Sequence, residues 1–184
     1  QSGSLSSAYT YQAAPTVTLV TRSSGALAGG TVVTIIGTGF LSGVTVKFDG
    51  TLCTGLVLLL STSVTCTTPL HSAGAVTVTA TNSDTQTGSL SNGYTYQAAP
   101  TITSVTASSG ALGGGTNVTI TGTGFLSGVG VTFGGTACTS VVVVSGTSIT
   151  CITPAHSAGA VTVTATNSDT QTGSLSNGYT YQAA

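Results

Sequence analysis

The stretch GTGFLSGVTVKFDGTLC, residues 37–53, returns as GTGFLSGVGVTFGGTAC at residues 122–138. Within it, Val44-Thr45-Val46-Lys47-Phe48 alternates apolar and polar side chains, the period of two that a half-buried strand requires. Gly37-Thr38-Gly39, Ser42-Gly43 and Asp49-Gly50 bracket that strand with turn chemistry. No helical spacing follows the Gly37-Thr38-Gly39 turn, so it is not a phosphate-binding loop.

The recurrence extends over most of the chain. The shift that brings Pro15 onto Pro100 also brings Cys53 onto Cys138, Cys66 onto Cys151 and Tyr94 onto Tyr179, and 66 of the 85 positions from Pro15 to Ala99 are identical. From His71 to Ala99 the two copies match without a difference. A period of this length is too long for one solenoid turn and suits one independently folded β-sandwich per repeat. Residues 1–14, QSGSLSSAYTYQAA, align with Gln86–Ala99 and form the closing strand of a preceding repeat. The expected organisation is therefore residues 1–14 as that strand, 15–99 as a first domain and 100–184 as a second. Because the last residue ends in the phase at which Pro15 begins, the chain reads as a window on a longer array or as one subunit of an in-phase polymer. No secretory leader pattern opens the sequence.

Other segments repeat the strand signal. Thr16-Val17-Thr18-Leu19-Val20, Val33-Thr34-Ile35, Ser63-Val64-Thr65-Cys66, Val76-Thr77-Val78-Thr79 and the closing Tyr94-Thr95-Tyr96 alternate in the same way. Ser24-Gly25, Gly29-Gly30 and Asn92-Gly93 are read as turns between them. About seven short strands per repeat predict an all-β chain of tandem immunoglobulin-like sandwiches.

Composition excludes several functions. Only 5 of 184 residues are charged, 3% of the chain, with Arg22 and Lys47 the two fixed cations and a net charge of −1. That leaves no footprint for nucleic acid or an anionic membrane. Three aspartates and no glutamate do not supply a carboxylate pair for catalysis or a calcium cage. The longest apolar run, Leu56 to Leu60, is too short for membrane insertion as a helix. Thr and Ser together make up about a third of the chain. Thr takes the outward strand positions, where its β propensity is high and water satisfies its hydroxyl. The resulting surface lacks the charge repulsion that keeps proteins apart, so packing in an assembly or glycans on Thr and Ser must cover it.

The string GTGFLSGVTVKFDGTLC…TSVTCTTP…HSAGAVTVTATNSD…LSNGYTY resembles the IPT/TIG domain, an immunoglobulin-like module of plexins, transcription factors and bacterial surface proteins. The matching residues are Pro15, the Gly25–Gly30 turn, Gly37 to Phe40, Phe48-Asp49-Gly50, Thr68-Pro69, Ala73-Gly74, Asn82 and Tyr94-Thr95-Tyr96. The second repeat carries them at Pro100, Gly122 to Phe125, Phe133-Gly134-Gly135, Thr153-Pro154 and Tyr179-Thr180-Tyr181. The resemblance implies the fold and is almost silent on function, because this fold hosts many roles. The basic loops with which the transcription-factor branch reads DNA are missing, and the Thr- and Gly-rich tandem style is more like bacterial surface arrays.

In related receptor modules, cysteines at these two places form a disulfide, which implies Cys53–Cys66 and Cys138–Cys151 bridges and an oxidising compartment. Buried free thiols and a metal site are the alternatives, although each repeat offers one His and no CxxC pair. His71 and His156 follow the Thr-Pro turn and read as loop histidines rather than partners of a nucleophilic cysteine. Asn82-Ser83-Asp84 and Asn167-Ser168-Asp169 read as Asx-type hairpin turns, since one carboxylate is too little for calcium. The tyrosines at 94, 96, 179 and 181, with Tyr9 and Tyr11, point to one face of the closing strand and serve packing or, alternatively, line a sugar-binding face. Asn117-Val118-Thr119 is an N-glycosylation sequon present in the second repeat alone.

No catalytic residue, metal or cofactor is expected. The sequence predicts a non-enzymatic extracellular structural protein, strung head to tail into a cell-surface stalk, fibre or filament. Its partner is itself, as a homopolymer or a longer covalent array. An unpaired strand is a liability that proteins avoid, so residues 1–14, with Leu5, Tyr9 and Tyr11, are the candidate self-assembly strand for donation to a neighbouring subunit. Such a head-to-tail contact does not close on itself and generates a filament. The alternative is a carbohydrate-binding or adhesive module, or an accessory domain of a secreted protein, with glycans as partners.

Overall fold

The computed structural model describes residues 12–183 and is all-β throughout them. Leu5, Tyr9 and Tyr11 lie outside the described residues. Alternating Val and Thr build nine strands in the first domain. They are β1 (Thr16–Thr21), β2 (Ser24–Ala26), β3 (Val32–Thr38), β4 (Thr45–Phe48), β5 (Thr51–Leu52), β6 (Thr54–Leu60), β7 (Ser63–Thr67), β8 (Gly74–Thr81) and β9 (Thr87–Gln97). One sheet has the order β1-β3-β7-β6 and the other β2-β9-β8-β4-β5. The short β2 and β5 raise the count above the seven strands expected.

The second domain repeats the pattern. It comprises β10 (Thr101–Thr106), β11 (Ser109–Ala111), β12 (Asn117–Thr123), β13 (Gly130–Phe133), β14 (Thr136–Ala137), β15 (Thr139–Ser145), β16 (Ser148–Ile152), β17 (Gly159–Thr166) and β18 (Thr172–Gln182). Its sheets are ordered β10-β12-β16-β15 and β11-β18-β17-β13-β14. Among the described residues no helix is long and apolar enough to cross a membrane.

Each core lies between the two sheets and is filled from alternate positions. In the first domain Val33 and Ile35 of β3, Val64 and Cys66 of β7, Val46 and Phe48 of β4, Val76 and Val78 of β8, and Tyr94 and Tyr96 of β9 are buried. Phe48 meets the Tyr94 ring edge-on at 5.4 Å, and Tyr94 meets Tyr96 at 4.9 Å. These offset geometries suit the ring quadrupole and add to what area burial supplies. Outward threonines pair with one another: Thr16 Oγ1 lies 2.9 Å from Thr38 Oγ1, and Thr101 Oγ1 lies 2.8 Å from Thr123 Oγ1.

Three local readings are corrected by the pairing. Simple alternation over Thr16–Val20 turns Leu19 inward with Val17. The register instead shifts between Val17 and Leu19, a bulge that turns Leu19 outward, 49% exposed, and Val20 inward, 2% exposed. Ser24-Gly25 is not a turn but part of β2, the outer strand beside β9. Asn92-Gly93 does not separate strands either. It lies within β9 where the register to β8 jumps from Val76↔Tyr94 to Val78↔Leu90, and Asn92 takes a left-handed φ of 53° to form that bulge.

Candidate functional site

In both domains, one small cluster receives the chain as it enters the domain. The β8–β9 hairpin turn places Asn82, Asp84 and Gln86 together because the Asn82 backbone amide donates to the Gln86 carbonyl and the Asp84 side chain closes the turn on its own backbone. Gln86 Nε2 donates to the carbonyl of Gln12 at 3.1 Å and to Asp84 Oδ2 at 2.9 Å, while Asp84 Oδ1 accepts the Gln86 amide at 3.1 Å. The second domain repeats this arrangement. Gln171 Nε2 donates to the Gln97 carbonyl at 3.2 Å and to Asp169 Oδ2 at 2.8 Å. Gln12 and Gln97 are the same residue of successive Gln-Ala-Ala-Pro linkers.

The linker then runs against glycines. A Cβ on Gly88 would overlap the Pro15 carbonyl, and one on Gly173 would overlap that of Pro100, so only glycine admits the chain there. Asn82 fastens the other side of the entry. Its Oδ1 accepts the Leu41 amide at 3.1 Å and its Nδ2 donates to the Gly39 carbonyl at 2.8 Å. Asn167 does the same with Leu126 and Gly124, at 3.1 and 2.7 Å. The Asn-Ser-Asp segment thus uses its amide and carboxylate on backbone and turn. Of the sequence-predicted assembly strand, Gln12 onward is described, and the part bearing Leu5, Tyr9 and Tyr11 is not.

The four cysteines occupy equivalent places. Cys53 sits where the chain leaves β5 in one sheet for β6 in the other, and its amide donates to Val46 O at 3.0 Å. It is disulfide-bonded to Cys66 of β7, with Cα atoms 6.0 Å apart, so the bridge ties the two sheets together. In the second domain Cys138 and Cys151 are buried thiols rather than a bridge. They are near enough to hydrogen-bond. The bond from Cys151 holds the Cys138 thiol below its ordinary value, and the same bond, with burial, pushes Cys151 up.

The histidines close the tyrosine end of the core. His71 stacks on Tyr96 at 5.0 Å, places Nδ1 2.8 Å from Ser72 O, and sets Nε2 3.4 Å from Asp49 Oδ2. His156 stacks on Tyr181 at 5.1 Å, and Gly134 replaces Asp49. Burial, reinforced by the neighbouring tyrosine, pushes the Tyr96 and Tyr181 phenols up to about 12. All the Tyr and Phe rings of the described residues are buried. Tyr94, Tyr96, Tyr179 and Tyr181 therefore pack the core and present no face for stacking on a sugar.

The IPT/TIG domain family model matches residues 15–97 and 100–182. Two structures of the plexin A4 full extracellular region superpose on the chain with TM-scores of 0.60 and 0.53, each at 24% identity, over 97% and 92% of its length. The chain spans only 16% and 18% of those plexin chains. The SGBP-B protein from a complex xyloglucan utilization locus in Bacteroides uniformis overlaps more loosely, with a TM-score of 0.43, 18% identity and coverage of 91% of this chain and 50% of that one. No curated protein matches the chain in sequence. A family match over both repeats, each folded as the expected sandwich, makes this chain a tandem member of the IPT/TIG domain family.

Proposed function

We infer that the chain is a non-enzymatic extracellular structural module whose domains, bounded at residues 14/15 and 99/100, are strung head to tail into a cell-surface stalk, fibre or filament. The observation that carries this reading is the repeated entry clamp, Gln86 on the Gln12 carbonyl and Gln171 on the Gln97 carbonyl. A linker fastened to the domain that follows it has few free bonds, so an array so built resists bending at each joint. The inter-sheet disulfide adds resistance to unfolding, and closure of Cys138–Cys151 in an oxidising compartment would give the second domain the same tie.

Residues 1–14 supply the joint between subunits in this reading. Leu5, Tyr9 and Tyr11 align with Leu90, Tyr94 and Tyr96, the last two of which fill the first core. Donated to a neighbouring sandwich, they would fill the same three places and bring main-chain hydrogen bonds in register. The adhesive alternative gains nothing from the buried aromatic rings. Imaging decides the matter: the full chain is expected to form fibres with a regular axial repeat, and a chain lacking residues 1–14 is expected not to. Normal fibres from the truncated chain would remove strand donation, and monodisperse full-length particles that bind glycans would remove the structural reading.

A further inference from the structure

The two domains differ at 19 of their 85 aligned positions, and the strand registers align several of those differences in one row. Across the outer face of the β1-β3-β7-β6 sheet, Leu19 pairs with Ile36, Ile36 with Ser63, and Ser63 with Leu60. The matching row of the second domain is Ser104, Thr121, Ser148 and Ser145. One face therefore carries three large apolar side chains around Ser63 where its counterpart carries an unbroken row of hydroxyls. Leu19 and Leu60 are 49% and 65% exposed, and Val32 and Val57 extend the apolar surface at 58% and 52%. The four strands hold no charged residue and no proline, and β6 is an edge strand with neither gatekeeper.

We propose that this face of the first domain is a lateral docking surface for a second copy of the chain. Four strands about 4.8 Å apart and five to seven residues long, at about 3.3 Å per residue, span a face of roughly 400 Å². Two such faces bury about 800 Å² together, below the size of stable specific interfaces and in the range of weak, reversible contacts. An isologous pairing lays each such row against its two-fold mate, and a chain with a net charge of −1 opposes this with almost no repulsion. A membrane occupant would call for several basic residues around the patch, and a single one, Arg22 directly after β1, adjoins these four strands in sequence. The inference goes beyond head-to-tail assembly and does not depend on it.

The test exchanges the rows in the full chain. Leu19→Ser/Ile36→Thr/Leu60→Ser installs the residues that the second domain already carries at those positions, so the fold tolerates them, and a thermal melt verifies this. Ser104→Leu/Thr121→Ile/Ser145→Leu installs the reverse. Sedimentation velocity over a concentration series is expected to show self-association of the native chain, weakened more than about tenfold in the first variant. The second variant is expected to gain an additional association site. Native and first-variant chains that associate equally would overturn the proposal, as would a native chain that stays monomeric up to about millimolar concentration. So would native chain that sediments with phosphatidylcholine–phosphatidylglycerol vesicles and does not dimerise. Head-to-tail contacts through residues 1–14 are untouched by these substitutions, so their failure leaves this comparison intact.

Discussion

Reduction of Cys53–Cys66 is expected to lower the stability of the first domain by about 3 kcal/mol. The bridge joins residues 13 apart. Closing a loop of that size removes about 10 cal/mol/K of entropy from the unfolded chain, or about 3 kcal/mol near room temperature. For a domain of this length each kcal/mol moves the melting temperature by about 4–8 °C, so the first-domain transition should fall by roughly 12–24 °C. Starting from the singly bridged chain, the second domain carries thiols at Cys138 and Cys151 and should not move on reduction. Mild oxidation that closes this pair should raise the second transition by a comparable amount. Differential scanning calorimetry with and without reductant measures both shifts, and non-reducing peptide mapping identifies the bridges. Reduction is a cleaner perturbation than substitution, because Cys66 is 2% exposed and truncating it also opens a cavity. Oxidised and reduced profiles that overlay within about 2 °C would refute the loop-entropy reasoning, and a Cys53–Cys138 link would refute intradomain pairing.

Four further outcomes are expected. Gln171→Ala removes the donor to the Gln97 carbonyl, and should cost about 1 kcal/mol while faster amide exchange appears in the linker at residues 97–100. Asn82→Ala leaves the Leu41 amide and the Gly39 carbonyl without their partner and should cost about 2–4 kcal/mol in denaturant titration. The Tyr96 and Tyr181 phenols ionise at about 12 in the folded chain and near 10 when unfolded, so the unfolded state releases their protons first. Stability is then full below pH 10 and falls as pH rises from 10 through 12, and Tyr96→Phe should flatten that fall in urea midpoints taken at about pH 8 and 11. With hydroxyl side chains on about a third of the residues and only 3% of them charged, native material is expected to carry O-linked glycans, and an intact mass equal to the bare polypeptide would exclude them.

Much of the fold was legible because strand formation is local. Alternation at Val33-Thr34-Ile35 and Val44-Thr45-Val46 requires one buried face, and the repeat from Pro15 to Pro100 divides the chain into two such bodies. The aromatic residues of the closing strand were legible as core for the same reason, since Tyr94 and Tyr96 lie two residues apart. The bulges were not. Nothing local in Thr16–Val20 announces that Leu19 turns outward, because that depends on the register adopted by β3. Asn92-Gly93 shows a turn composition, and the pairing of β8 with β9 makes it a bulge.

The sequence alone determined the family, the repeat phase, the neutral Thr-coated surface and the equivalence of the cysteine pairs, since each is a property of residue type and spacing. Only the tertiary structure decided what joins across distance. The Gln86 side chain finds the Gln12 carbonyl 74 residues away, and the Leu19-Ile36-Ser63-Leu60 row exists only through three successive strand registers. Periodicity tells a strand that it has two faces. Which face is buried at each residue, and which distant atom it meets, follow from bulges and pairings that minimise the free energy of the whole sandwich.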